Sequence, residues 1–390
     1  MTTDTHHREF GAFLPWRSFD LPVVPVSHPW GDDCVLFGSG VDAFRGLLEH
    51  GRSTRGWQRL WAPSYFCQEV MRSLLTAGLQ VLLYDYGPED TFPLGARISA
   101  KPGDVVLRMN FFGLHDRLST DGIDRNRVEI LDDHTHDPWS DWAYTSDADW
   151  CVVSPRKTLP LPGGGVLWSP RRHPLPTPSP VTDTRRAATF EKFTAMVLKG
   201  LYLQGYPLDR EIYWRLNDAA EDHMASGEAS GVPEWIGDLL KCFPVREWRE
   251  YRRNNCLAVS NVLKGLPWLK VLEADGGGGI CQFSGLVLFD SEERRNFVRR
   301  QLADRRIFLT VLWELDDAPI PEIPEEHRRF SKTLLCIPCD ARYDRVAVEK
   351  VSGLIRDIGN GFASSGRAAL NNASIEHQQP LARPAGASSP

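Results

Sequence analysis

The chain has 390 residues, 42% hydrophobic and 25% charged, with a formal net charge of -6. That length exceeds one ordinary hydrophobic core and predicts a large domain joined to a smaller one. The balance excludes the basic excess of a nucleic-acid binder and the bias of a disordered chain, and leaves small metabolites as expected partners.

Residues 1–30 carry prolines and aromatics without periodicity and read as an N-terminal arm. The opening "MTTDTHHREFGAFLPW" lacks the basic-then-apolar run of a signal peptide, and no apolar stretch reaches bilayer length. A cytoplasmic protein without a membrane partner is therefore expected. From residue 31 the pattern changes: "VDAFRGLLEH" has helical spacing after "FGSG", and "RLWAPSYFCQEVMRSLLTAG" passes from a short apolar run into a second helix. "LQVLLYDY", "GDVVLRMNFF", "RVEILDD" and "DWCVVS" follow as short apolar runs bounded by turn residues, the signature of strands. Alternating strands and helices predict an α/β domain over 31–235 with a mostly parallel sheet, its functional loops at the carboxyl ends of the strands.

A proline-rich exit at 173–183 leads into two long helical patterns, and a small α+β domain is expected over 236–365. It contains the basic amphipathic helix "REWREYRRNNCLAVSNVLKGL", strands in "ICQFSGLVLFD" and "KTLLCIPCD", and the helix "SEERRNFVRRQLADRR". Interleaved acids make "RRNN" and the arginines of 294–306 read as solvated faces. "GGGG" at 276–279 reads as a connection, and 366–390 as a disordered tail. The eight scattered cysteines read as reduced thiols, the "CIPC" pair Cys336 and Cys339 included, because no second CxxC or CxxH completes a metal site.

Two strand ends carry chemistry. "VEILDDHTH" ends one strand with Asp132, Asp133, His134 and His136, and "WCVVSPRK" ends the next with Ser154 and Lys157. A cofactor that works as an electron sink needs an amine for its aldehyde, a carboxylate for its ring nitrogen, and donors for its phosphate. Lysine loses its charge readily in a desolvated site and then attacks a carbonyl. "GSGVDAF", where a small-residue turn with Ser39, Gly40 and Val41 opens a helix, offers backbone N–H groups to a phosphate, with Ser154 as a possible hydroxyl donor. Tyr65 or Phe66 in "APSYFCQ" can supply a ring to stack on the cofactor.

These segments, with "NFFG" and "SPRKTLPLPGGGVL", resemble the DegT/DnrJ-type sugar aminotransferase family, of the fold type I pyridoxal-phosphate (PLP) enzymes, over about residues 33–360. The resemblance implies that Lys157 forms the Schiff base with pyridoxal 5'-phosphate, that Asp133 pairs with the ring nitrogen and that His136 contacts the ring hydroxyl. It also implies that Ser154 and the Gly40–Val41 backbone hold phosphate, and that a homodimer completes the site. Val41 replaces the threonine of many members, and "SPRK" replaces the commoner serine-phenylalanine-histidine lead-in, which marks a divergent branch. No metal is expected.

Each residue has a plainer reading. Lys157 can be a solvated lysine, Asp133 a capping residue with Asp132 as its competitor, His136 a loop histidine and Ser154 a strand end; His134 reads as structural. Trp313 can approach substrate or be buried in the small domain. Arg45, Arg108 or a small-domain arginine remains open as the group that binds a substrate carboxylate. The expected activity is amino transfer from an amino acid to a keto or aldehyde acceptor. Decarboxylation, β- or γ-substitution or C–C bond formation on the same cofactor is the alternative reaction class, and a PLP-binding regulator the non-catalytic one.

Overall fold

The computed structural model describes residues 9–16, 27–225, 229–274, 277 and 279–369. The other parts of the expected arm, the glycine connection and the tail lie outside the described residues.

The chain enters through the two-residue strand β1 (Phe10–Gly11). It then builds β2 (Cys34–Phe37), helix α1 (Gly40–His50), β3 (Arg59–Pro63), α2 (Gln68–Leu75) and β4 (Gln80–Tyr84). After β5 (Asp104–Met109), β6 (Glu129–Asp133), the short α3 (Asp141–Tyr144) and β7 (Trp150–Val153), the chain reverses into β8 (Gly165–Trp168). These strands form one seven-stranded sheet in the order β2-β8-β7-β6-β5-β3-β4. Its ladders are parallel except where β8 pairs with β2 and β7, so β8 alone is reversed. β5, β7 and β8 are buried at every position, as near-continuous apolar runs covered on both faces should be.

Two long helices follow, α4 (Asp183–Leu203) and α5 (Arg210–Ala225), packed against each other, and then α6 (Glu234–Leu240). Thr182 caps α4 by accepting from the Arg185 N–H. The second layer starts with α7 (Val245–Leu263) and contains β9 (Leu269–Leu272), β10 (Gly285–Phe289), α8 (Glu292–Ala303), β11 (Ile307–Phe308), α9 (Glu325–Thr333), β12 (Leu334–Ile337) and α10 (Arg345–Ala369). β12, β10 and β9 form an antiparallel sheet against which α7 and α8 pack, with α10 against both helices. Its own core holds Val259, Val287, Leu335 and Ile355. The expected strand "ICQFSGLVLF" is regular only from Gly285 to Phe289; residues 280–284 turn toward the large sheet, where Phe283 N–H donates to Phe112 O at 2.8 Å. This is the α/β architecture of a large, mostly parallel sheet with a smaller α+β unit.

The arm contributes structure. β1 pairs in parallel with β11, and Lys199 of α4 donates to the carbonyls of Gly11 and Phe13. All eight cysteines are free thiols. No helix of the described residues is long and apolar enough to cross a membrane.

Candidate active site

The carboxyl ends of β2, β3, β5, β6 and β7 share one edge of the large sheet, and the residues singled out in the sequence leave from those ends. That edge is where open α/β sheets bind ligands.

Asp132 and Asp133 alternate across the sheet, so their side chains meet different surroundings. Asp132 takes the Arg108 guanidinium in a bidentate pair (2.6 and 2.9 Å) and also accepts from Trp142 Nε1 and Ser146 Oγ. Burial alone would raise its pKa, but Arg108 overrides burial and holds it below the usual carboxylate range. Arg108 also donates to Asp147 and to Leu118 O. Both partners are thereby committed, which removes Arg108 from the arginines free to bind a substrate. Asp133 accepts from the Thr135 N–H at 2.8 Å, has no cationic hydrogen-bond partner among the described residues, and burial raises its pKa. A cationic ring nitrogen would relieve that burial.

Lys157 lies in the single turn Pro155–Lys157 that reverses the chain from β7 into β8, and its side chain is exposed. Its charge reaches His136: burial, and then Lys157, lower the His136 pKa to about 3. His136 Nδ1 accepts from the Phe112 N–H at 3.0 Å, which leaves the proton of the neutral ring on Nε2. Phe112 stacks on His136 from one direction and Trp313 from another, with centroids 5.0 and 5.4 Å away. Phe112 holds φ at 53°, costly for a bulky residue and imposed by these contacts.

The α1 N-terminus and Ser154 adjoin. A Cβ on Gly40 would sit 2.8 Å from Ser154 Cβ and 3.2 Å from its Oγ, so only glycine permits this approach. Ser39 turns its hydroxyl inward as the helix cap, accepting from Asp42 N–H and donating to the Asp42 carboxylate. That leaves backbone N–H groups at the mouth of the turn, with Val41 half-buried beside them. The Asp42 charge is met by Arg185 at 2.9 Å.

Both proposed stacking rings are buried. Tyr65 is tied down, its hydroxyl donating to Leu312 O and accepting from Trp313 N–H, whereas Phe66 makes apolar contacts with Phe44 and Trp313. His134 is fully buried between Trp142 and Trp168.

Five residues escaped the sequence reading. Thr135 joins two strand ends, donating its N–H to Asp133 and accepting at Oγ1 from Ser154 N–H. Asn110, at the end of β5, is 1% exposed, and neither side-chain atom has a partner among the described residues. Glu221 of α5 accepts from Arg156 (2.8 and 3.1 Å) and Lys192 (2.5 Å), anchoring the residue before Lys157. Arg252 and Arg295, expected on solvated faces, are each only 4% exposed. Arg252 is turned inward because α7 packs on the antiparallel sheet and presents this side to the large domain.

A cavity of about 810 Å³ lies between the two layers, with Lys157, Arg156, Glu69, Phe283 and Arg252 among its walls. Lys157 is among those walls, whereas Asp133, His136, Asn110, Ser154 and Gly40 are not. The strand-end positions themselves fit a phosphorylated pyridine cofactor. They offer an exposed amine, a buried carboxylate, an Asn110 side chain without partners among the described residues, a neutral histidine and a glycine-lined helix start.

No family model matches the sequence, and no curated protein matches it significantly. Solved structures do. DesI, determined with its TDP-sugar product, superposes with a TM-score of 0.60 at 18% identity, covering 86% of this chain and 83% of its own. PseC of Helicobacter pylori, an aminotransferase of pseudoaminic acid biosynthesis, gives 0.56 at 12% over 91% and 100%. The sugar-aminotransferase candidate Spr1654 of Streptococcus pneumoniae, in its PLP form, gives 0.55 at 13% over 90% and 99%. Sheet order, strand-end site and these superpositions together establish that the chain has the fold of the fold type I PLP-dependent aminotransferases.

Proposed function

We propose that this protein is a PLP-dependent aminotransferase that moves an amino group from an amino acid to a keto or aldehyde acceptor. The observation that carries the reading is the gathering of Lys157, Asp133 and the Gly40–Ser154 cradle on one edge of the sheet. When bound, the cofactor supplies an electron sink for the bonds at the donor's α-carbon. Lys157 is the amine that would hold it, and its Nζ, once free, would take the donor's α-proton as general base and pass it as general acid to the cofactor's exocyclic carbon. Asp133 would keep the ring nitrogen protonated. His136, neutral and carrying its proton on Nε2, would donate to the ring hydroxyl. Ser154 and the α1 backbone would bind phosphate, while Phe112 and Trp313 wall the site against water.

The TDP-sugar product of DesI and the pathway of PseC support a sugar or related natural-product intermediate as the acceptor. A cytoplasmic homodimer, with loops of a second copy completing the site, belongs to the same proposal. The domain limits of 31–235 and 236–365 are proposed with it. Incubation with 15N-labelled amino acids tests the reaction. Label on the aminated form of the bound cofactor supports transamination, whereas release of carbon dioxide or of a β- or γ-substituent would transfer the chain to another reaction class.

A further inference from the structure

We propose that Asp85, Glu326 and His327 form a binding site for a divalent cation of the zinc type, at the seam between the large sheet and the smaller unit. Asp85 directly follows the edge strand β4, whereas Glu326 and His327 stand in the first turn of α9. One nitrogen or carboxylate oxygen from each lies within 4.8 Å of the other two. The three come from distant parts of the chain, so no spacing in the sequence announces them. Lys157 and the other groups assigned to the cofactor take no part, which makes the site independent of the aminotransferase reading.

His327 distinguishes this group from an ordinary patch of surface acids. It is 5% exposed, its Nδ1 is held 2.9 Å from Ser64 Oγ, and its Nε2 makes no hydrogen bond among the described residues. Nε2 faces Asp85 Oδ1 at 3.7 Å, and that oxygen is itself buried without a hydrogen-bond partner. The gap is too long for a hydrogen bond. It is near the spacing of two atoms that share one ion, since ligands about 2.0–2.1 Å from a tetrahedral zinc stand about 3.3 Å apart. When Nδ1–H donates to Ser64, Nε2 turns its lone pair toward the carboxylate, a repulsion that a cation between them converts into attraction. Gly87 keeps the space beside Nε2 clear, because a Cβ there would lie 2.7 Å from that nitrogen. Asp85 Oδ2 faces Arg97 at 3.9 Å, across an exposed pair, so Oδ1 is the oxygen left for the ion. Asp90, which accepts the Gly87 N–H at 2.7 Å, adds negative charge, while Lys270 is paired with Glu89. A cavity of about 530 Å³, walled in part by Glu326 and His327, gives an entry path and room for water as a further ligand. One imidazole with two carboxylates suits zinc better than the all-oxygen shells of calcium and magnesium. The ion would tie α9 to the sheet edge, and α9 holds the Trp313 segment through Ser331 Oγ to Trp313 O and Arg328 Nη1 to Leu315 O.

The test uses the full chain, freed of metal with a chelator and dialysed against zinc chloride, with bound zinc counted by elemental mass spectrometry. Asp85→Asn and Glu326→Gln are compared with the wild type, together with Gly87→Ala, which alters no ligand but fills the space beside Nε2. The wild type should hold one zinc per chain more than each variant, and half-saturation of this site should rise at least tenfold in the two carboxylate variants. The difference between chains is the reading, because the free thiols can take zinc elsewhere and do so equally in all of them. Zinc should raise Tm of the wild type and slow hydrogen exchange over residues 312–315, and magnesium should do neither. Glu326 is exposed, so Glu326→Gln should melt with the wild type when metal is absent and fail to respond when zinc is added. Equal zinc content in the wild type and both carboxylate variants would overturn the proposal. So would an equal rise of Tm in Glu326→Gln, or a response to magnesium that matches the response to zinc.

Discussion

Replacing Gly40 by alanine tests the cradle with a defined perturbation. The new Cβ would lie 2.8 Å from Ser154 Cβ, where ordinary contact begins at 3.4 Å, and both atoms belong to stiff parts of their chains. The α1 N-terminus and the end of β7 must then move apart by several tenths of an ångström. Overpacking of this kind costs about 1–3 kcal/mol. With an unfolding entropy near 2.1 cal/mol/K per residue, that cost lowers Tm by roughly 1–4 °C in a chain of this size. The consequence for ligand binding should be larger, because the displaced groups are the proposed phosphate donors. Gly40→Ala should therefore weaken PLP binding, measured by absorbance titration of apoprotein, at least tenfold. The double variant Gly40→Ala/Ser154→Gly removes the clashing Cβ and should recover the lost Tm, whereas Gly40→Ala/Ser154→Ala keeps that Cβ and should not. Equal behaviour of the two double variants, or wild-type affinity in Gly40→Ala, would refute the cradle.

Asp132→Ala leaves Arg108 buried beside an empty position and should cost about 3–5 kcal/mol of stability, read by thermal or urea unfolding. Asp133→Asn should leave the apoprotein nearly as stable and instead abolish tight cofactor binding. Glu221→Ala takes the shared carboxylate from half-buried Arg156 and buried Lys192 and should cost about 1.5–3 kcal/mol while loosening the turn that carries Lys157, seen as faster hydrogen exchange over residues 155–159. His136 has a folded pKa of about 3, below its unfolded value of 6.5, so the unfolded chain takes up the proton first. Its contribution to stability is complete above about pH 6.5 and is lost as pH falls toward 3, at up to about 1.4 kcal/mol per pH unit. His136→Asn should flatten the acid side of the stability profile by that slope.

Much of the site could be read from the sequence because its parts are local. A strand that runs into a charged or small-residue turn announces its carboxyl end, and "GSG", "ILDD" and "SPRK" each mark one. What depended on distant contacts stayed hidden. That Asp132 is committed to Arg108 on the neighbouring strand is one such contact. "RRNN" looks solvated because acids surround it in the chain, yet α7 docks against two layers at once and Arg252 lies inside that contact. Thr135, Asn110 and Glu221 carry no motif, and their roles come from the geometry of strands and helices brought together by the fold. Trp313 sits on His136 because Tyr65 ties its segment to the large domain, an arrangement spanning almost 250 positions of sequence.

Lys157 is the residue proposed to hold the cofactor. Protein saturated with PLP and reduced with borohydride should carry the phosphopyridoxyl mass on the peptide containing Lys157, and Lys157→Ala should carry none and lose the visible band. An adduct confined to other lysines, or an unchanged band in Lys157→Ala, would contradict the account.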